Sequence, residues 1–418
     1  MKIFFISKLV FLLRKRIRNS SKGLFDYIYF ALRVFLAKPL GLYPFPIRNE
    51  VGSLTSVLIS GKWNASYSLT NKITETEEKF CEFLNSRNCI LVSSGGVGIE
   101  IVMRLLKSNN TNVTCNHLRH ICPATPLSIL RSGVAPLPTN PSKDEFSLPR
   151  EIYEKASKEN LVLATHMWGY PEEIRNYSPE NIVEDCCLSF DSYFPDGRHV
   201  GTVGKAGIFS FGCLKPLQAG EGGLICTNDD GLAKEIRIMQ NYANQEQITG
   251  SKDILGFGLN GRMSCLTAGV ISEQLLNYRK YIKNVRRGVL SLKKEIKKRD
   301  LPIKIFLPNN QKIENIGFTS ILLEVNPSIY NELILEMRKN GIETIPTFFY
   351  DIFSLSYFQD GIKNELSQNQ QEIYLENFKK SSKYQYPNRL INISRRWVTS
   401  HIMRSIFMQS LSKSFRNF

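Results

Sequence analysis

Apolar positions along this chain keep two different rhythms. From about residue 50, short apolar runs of strand length alternate with stretches where apolar residues return every three or four positions. "NCILVSSGG", residues 88–96, reads as a strand running into a glycine turn, and "VGIEIVMRLLKS" behind it continues as an amphipathic helix. "LVLATHMWG" (161–169) and "NIVEDCC" (181–187) are two further buried strands, each closing on polar residues. "AGIFSFG" (206–212) and "GGLICTND" (222–229) read as an antiparallel pair. This alternation predicts an α/β domain around a large, mostly parallel sheet. The basic stretch "NYRKYIKNVRRGVLSLKKEIKKRD" (277–300) predicts a long helix leading away from it. The expected organisation is an N-terminal extension over 1–48, a large domain over 49–290 and a smaller C-terminal α+β domain over 291–418.

The extension has its own pattern. On a helix, Leu24, Phe25, Ile28, Leu32, Phe35 and Leu36 cover one wide face, and Lys22, Asp26 and Arg33 fall on a narrow opposite stripe. Over residues 1–48, ten Lys or Arg face the single acid Asp26. Aromatic residues, a wide apolar face and flanking cations suit a helix lying in a membrane interface. The same face suits packing on protein, and both readings stay open. The apolar run at the start is broken by Lys8, shorter than the roughly 20 residues of a spanning helix, and no small-residue cleavage site follows it.

Composition changes this picture little. With 418 residues, 42% hydrophobic and 22% charged, the chain has the make-up of an ordinary globular protein with a sizeable core. The formal net charge of +16 permits an acidic partner. The cations cluster with apolar residues at the N-terminus rather than in a nucleic-acid-reading module, so no nucleic-acid partner is expected. The nine cysteines form no C-x-x-C pair or zinc spacing, and no metal is expected; reduced thiols and a cytoplasmic setting are.

Three places carry candidate chemistry. Ser93-Ser94-Gly95-Gly96 lies at a strand-to-helix turn, where free backbone N–H groups and small residues make an anion cradle. Asp185 ends a buried parallel strand, where α/β proteins bind ligands. Lys215, in "FSFGCLKPLQAGEGG", is set among glycines and apolar residues rather than on a solvated face, with Ser210 five positions before it. Together they describe a pyridoxal phosphate site. The phosphate needs the cradle, the pyridine nitrogen needs an anion, and the aldehyde needs a lysine amine.

These segments, in this order, resemble the DegT/DnrJ/EryC1/StrS family of sugar aminotransferases, which are fold-type I pyridoxal phosphate enzymes. "SGKWNASYSLTNKITETEEKF" is similar to the family's opening segment, "VSSGGVGIEI" to its phosphate turn and "THMWGYPEEI" to its His-x-x-Gly-x-Pro strand end. "VEDCC" is similar to its Glu-Asp-Ala-Ala segment, "FSFGCLKPLQAGEGG" to its lysine segment and "GLNGRMSCLTAGV" to its Asn-x-Arg-Met-Ser stretch. The likeness covers residues 50–290 well and the C-terminal part poorly. It implies that Lys215 joins the cofactor, that Asp185 meets the pyridine nitrogen, and that Gly95, Gly96 and Ser210 hold the phosphate. Asn260 would reach the phosphate of a neighbouring subunit, which implies a homodimer. The implied reaction moves an amino group from an amino-acid donor, glutamate, to a keto-sugar carried on a nucleotide or a lipid.

Four departures from the family pattern stand out. Leu188 occupies the place of a glutamine three residues after Asp185, and Gly96 that of the phosphate-turn threonine. "HLRHICPAT" (117–125) lacks the aromatic residue that stacks on the cofactor ring, leaving His120 as the candidate. "ETIPTFFYDIFSLSYF" (343–358) replaces the substrate segment with a greasy one, which, with the basic N-terminus, points to an acceptor met at a membrane through residues 1–46. A sugar dehydratase of this family would carry histidine at the lysine position, and Lys215 argues against it. A non-catalytic scaffold would bind no cofactor.

Overall fold

The computed structural model describes residues 47–61, 63, 72–107, 109–142, 146–213, 215–246, 250–308, 311–345, 350–381 and 389–415. Residues 1–46, and with them the expected interfacial helix, lie outside the described residues.

The strands follow in chain order: β1 (Asn88–Val92), β2 (Thr114–Leu118), β3 (His120–Ile121), β4 (Ala135–Thr139), β5 (Asn160–Thr165), β6 (Ile182–Asp185), β7 (Ala206–Ser210) and β8 (Gly223–Thr227). β9 (Ile303–Ile305), β10 (Ser320–Val325), β11 (Thr344–Ile345), β12 (Tyr350–Asp351) and β13 (Leu390–Ser394) belong to the C-terminal part. Seven of them form one sheet in the order β1-β8-β7-β6-β5-β2-β4. Only β8 runs against its neighbours, antiparallel to both β1 and β7, and the other pairings are parallel. β4 carries Pro136 and Pro138 and lies at the sheet's edge, where a missing N–H costs no ladder bond.

Side chains alternate across this sheet. Leu161 and Leu163 of β5, Val183 of β6 and Ala206 and Ile208 of β7 share one apolar cluster with Ile99, Val102 and Met103 of the helix Gly95–Lys107. Gly98 of that helix lies against Ile208 and Ile225. The opposite face joins a larger core with the helices Lys72–Leu84 and Cys265–Lys298. Every third or fourth residue of the long helix is buried, from Ala268 through Tyr278 and Val285 to Ile296, as an amphipathic helix requires. Ser264 starts it by accepting the Thr267 N–H at 3.1 Å, a standard N-cap.

The C-terminal part builds a four-stranded antiparallel sheet, β11-β13-β10-β9. Its greasy segment is partly interior. Ile352, Phe353 and Phe358 are buried, at 0 to 3% exposure, while Tyr350 and Tyr357 are 57% and 41% exposed, so the described part of that segment packs much of its apolar surface into the core and keeps two rings outside. It is strapped to the segment that follows β2 through the separate two-stranded β3·β12 pairing, His120 opposite Asp351. Arg119 Nε and Nη2 meet both Asp351 oxygens at 2.7 and 2.6 Å, a bidentate pair.

Burial lowers three histidines, His117, His120 and His199, from 6.5 to about 4. Each stays neutral in the fold while its unfolded counterpart gains a proton, so each loses stability as pH falls from 6.5 to about 4, by about 1.4 kcal/mol per pH unit. His199, between the Tyr193 and Phe83 rings and beside the cations Arg279 and Arg286, is the one to replace. Denaturant unfolding of His199→Gln at several pH values is expected to give a shallower acid loss by that amount, and an unchanged slope would contradict the assignment.

Candidate active site

The turn after β1 is built around Ser94. Its Oγ accepts the Val97 N–H at 3.1 Å and its carbonyl the Gly98 N–H at 3.0 Å, which starts the helix Gly95–Lys107. The N–H groups of Gly95 and Gly96 precede any intrahelical acceptor, and they carry the positive end of the helix dipole. Gly95 is a crowded position. A Cβ there would lie 3.0 Å from Ser210 Cβ and 3.0 Å from Cys187 Sγ. That close approach brings the turn, the end of β7 and the residues after β6 together. Ser210 is half-buried and its Oγ accepts the Gly212 N–H at 3.4 Å.

Asp185 sits at the carboxyl end of β6, in register with Thr165 of β5 and Ile208 of β7. It is buried at 5% exposure, and its Oδ1 accepts the Cys187 N–H at 3.1 Å. Burial pushes the Cys187 thiol well up. The Asp185 carboxylate adds to that rise and the Lys215 ammonium opposes it. Cys187 therefore feels the aspartate and the lysine together, and both charges belong to one neighbourhood.

Lys215 is half-buried in the turn between β7 and β8. Ser210 lies opposite Gly223 in the antiparallel pair, and Gly222 closes the turn at φ 146°, a conformation that favours glycine. Two residues from elsewhere hold the turn. Gln274 of the long helix brackets Gln218, accepting its N–H at 2.9 Å and donating to its carbonyl at 2.6 Å. Arg395, after β13, donates to the carbonyls of Lys215 at 3.4 Å, Pro216 at 3.0 Å and Phe318 at 3.1 Å. Its guanidinium is buried over the Tyr281 ring, 5.2 Å from the centroid. Arg395 and Gln274 escape sequence reasoning because they act on carbonyls of a distant segment, and nothing in their own neighbourhoods announces it.

The other expected residues lie as follows. Gly96 continues the turn, with Ser128 Oγ 3.0 Å from where its Cβ would stand. Asn260 is exposed and bridges Asn241, and the next residue, Gly261, accepts the Ser93 N–H at 2.7 Å. His120 lies in β3 against the strap, its Nε2 3.9 Å from Asp351 Oδ2, a neutral and mostly buried ring. Leu188 is buried.

The family-like motifs also hold residues that serve the frame. His166 Nδ1 accepts the Glu172 N–H at 2.9 Å, so its ring hydrogen is on Nε2 and is donated to Glu184 at 2.8 Å. Glu184 also accepts the N–H groups of Gly201, Val203 and Gly204 at 2.6 to 2.8 Å. With Cys186, these two are the trio of potential metal ligands found among the described residues. The His166 and Glu184 donor atoms are already hydrogen-bonded within the protein, which is what a folding clamp needs.

The sheet order, with helices on both faces and a small C-terminal α+β sheet, is that of the fold-type I pyridoxal phosphate transferases. Solved structures agree. A DegT DnrJ EryC1 StrS aminotransferase from Brucella abortus matches with a TM-score of 0.70 at 17% identity, covering 91% of this chain and 96% of that one. Helicobacter pylori PseC, an aminotransferase of pseudoaminic acid biosynthesis, matches with a TM-score of 0.71 at 15% identity, covering 89% and 97%. The model of the DegT/DnrJ/EryC1/StrS aminotransferase family matches residues 47–377, and the chain belongs to that family. Among named relatives it is 25% identical over 324 residues to the GDP-perosamine synthase of Vibrio cholerae, 74% of this chain and 84% of that protein. It is 27% identical over 241 residues to the dTDP-3-amino-3,6-dideoxy-alpha-D-galactopyranose transaminase of Aneurinibacillus thermoaerophilus, 53% of this chain and 61% of that protein. The chain is thus a sugar aminotransferase, and the family's cofactor is pyridoxal phosphate.

Proposed function

We propose that Lys215, Asp185, Gly95, Gly96 and Ser210 form the pyridoxal phosphate site, and that the chain moves an amino group from glutamate to a nucleotide-linked keto-sugar. The observation that carries this reading is the convergence at Cys187, which packs on Gly95 and responds to both Asp185 and Lys215. The residues fit the group. A side chain at 95 would crowd the cradle, a buried carboxylate stands one strand from Ser210, and the Lys215 charge acts on Cys187 beside both. The bound cofactor supplies an electron sink for breaking and making bonds to hydrogen at the substrate carbon.

The chain's own residues do the rest. Gly95 and Gly96 N–H groups and the Ser210 hydroxyl hold the phosphate at a helix N-terminus. Asp185 holds the proton on the pyridine nitrogen. Lys215 would hold the cofactor through its side-chain amine, and that amine would carry the proton on and off the substrate carbon. Arg395 and Gln274 fix the backbone from which it does so. We place His120 at the ring face. We also propose that residues 49–290 hold the cofactor and 291–418 cover it, with the helix Cys265–Lys298 joining the two.

The nucleotide handle draws support from the names of the two relatives and from the net charge of +16. Incubation with nitrogen-15 glutamate and a panel of nucleotide-linked keto-sugars is expected to label the sugar. Exchange with keto acids but with no keto-sugar would contradict the reading.

We further propose a cytoplasmic homodimer with Asn260 reaching the partner's phosphate. Tyr242, Ile254, Leu255 and Phe257 are 50 to 89% exposed in the segment leading to Asn260, an apolar surface of the kind that subunits cover. Sedimentation of Phe257→Asp should show monomer, and an unchanged dimer would contradict this surface. Among the described residues no helix is long and apolar enough to cross a membrane. Contact with the cytoplasmic face through residues 1–46 is proposed from their sequence alone, and equal vesicle flotation of the chain with and without them would end it.

A further inference from the structure

Thr165 ends β5 with its hydroxyl unspent. The residue is 3% exposed, and its Oγ1 has no hydrogen-bond partner among the described residues. A buried hydroxyl without a partner costs stability, and it lies next to the candidate site. Thr165 pairs in register with Asp185, and Asp185 with Ile208. Alternation puts Thr165 on the face of Leu161 and Leu163, Asp185 on the face of Val183, and Ser210 on the face of Ala206 and Ile208, which is one face of the sheet.

The order across that face, Ser210 on β7, Asp185 on β6 and Thr165 on β5, matches the order of groups around the cofactor's ring. The phosphate arm lies on one side of the line from the ring nitrogen to the aldehyde carbon. The methyl and the phenolic oxygen lie on the other. With the phosphate at Ser210 and the nitrogen at Asp185, the edge turned toward β5 bears one methyl and one oxygen. Threonine offers a methyl and a hydroxyl. Leu188, where the family carries a glutamine, has no polar atom to give.

We propose that Thr165 is a positioning residue for pyridoxal phosphate, donating its hydroxyl hydrogen to the phenolic oxygen. This rests on the assignment of Lys215, Asp185 and Ser210 as the cofactor site. The exchange Thr165→Val keeps the shape and removes the hydroxyl, so its two effects have opposite signs. The apoprotein loses an unsatisfied group and is expected to melt at the same or a higher temperature than the wild type. The added melting temperature given by pyridoxal phosphate is expected to shrink, and a spectroscopic titration should show roughly tenfold weaker cofactor binding. The pH at which the bound cofactor's visible band titrates should shift. Thr165→Ser should restore both.

If Thr165→Val binds the cofactor as the wild type does, or if its apoprotein is destabilised as much as its loaded form, the hydroxyl has no cofactor role and the proposal is overturned. The wild type and Lys215→Ala are titrated alongside. Should the wild type itself give no visible band that depends on Lys215, the site assignment fails with it, and that outcome is distinct from a silent Thr165.

Discussion

Lys215→Ala is expected to bring amino transfer down by more than about 10⁴-fold, because in the proposed site one side chain would serve both as the cofactor's covalent partner and as the proton carrier. Pyridoxal phosphate should still bind, held by the turn at Gly95 and by Asp185, and should wash out on dialysis. The fold should survive, since Lys215 is half-buried and the bonds that fix its turn run through its carbonyl to Arg395 and Gln218. Steady-state kinetics with dialysed and undialysed protein checks this. A variant that keeps a tenth of the wild-type rate would mean that another amine does the work.

Asp185→Asn is expected to show the complementary pattern. Asparagine keeps an oxygen for the Cys187 N–H and nearly the same volume, so the strand end stays in place. It gives up the negative charge that stabilises a protonated pyridine nitrogen within a buried site, where such charges weigh most. Turnover should fall roughly 10² to 10³-fold, while the cofactor stays covalently held through Lys215. The two variants separate the proposed roles, since one would lose the tether and the other the charge that keeps the ring nitrogen protonated. If Asp185→Asn turned over normally, the carboxylate would be a frame residue like Glu184, its neighbour along the chain.

Much of the proposed site was legible in the sequence because its parts are local. A strand that stops on an acid, a glycine turn that opens a helix, and a lysine between two short apolar runs each sit within about ten residues, so period and punctuation expose them. The same reading found the antiparallel β7·β8 pair and the long helix. Arg395 was invisible for a physical reason. It acts 180 residues away from Lys215, on main-chain carbonyls that every sequence possesses. His166 and Glu184 lie in family-like motifs, and Glu184, paired with His166, holds the 201–204 loop. Thr165 reads as one more β-branched residue at a strand end, and only the sheet register shows it beside Asp185.

The greasy stretch before Phe358 marks the limit of pattern reading. Apolar periodicity says that a face will be covered, not by what. Phe353 is covered by Phe378 and Tyr374 of the same chain, whereas Tyr350 and Tyr357 of the same stretch are exposed. Asn260 is the converse. It is exposed on its own subunit, and its proposed use depends on a second copy that a single sequence does not display.

The most direct measurement locates the covalent bond itself. Protein purified with pyridoxal phosphate is reduced with borohydride, which fixes the cofactor to whatever amine holds it, then digested and mapped by mass spectrometry. The account predicts a pyridoxyl group on Lys215, absent from Lys215→Ala. A label spread over surface lysines, fixed on a different lysine, or missing from the wild type would contradict it.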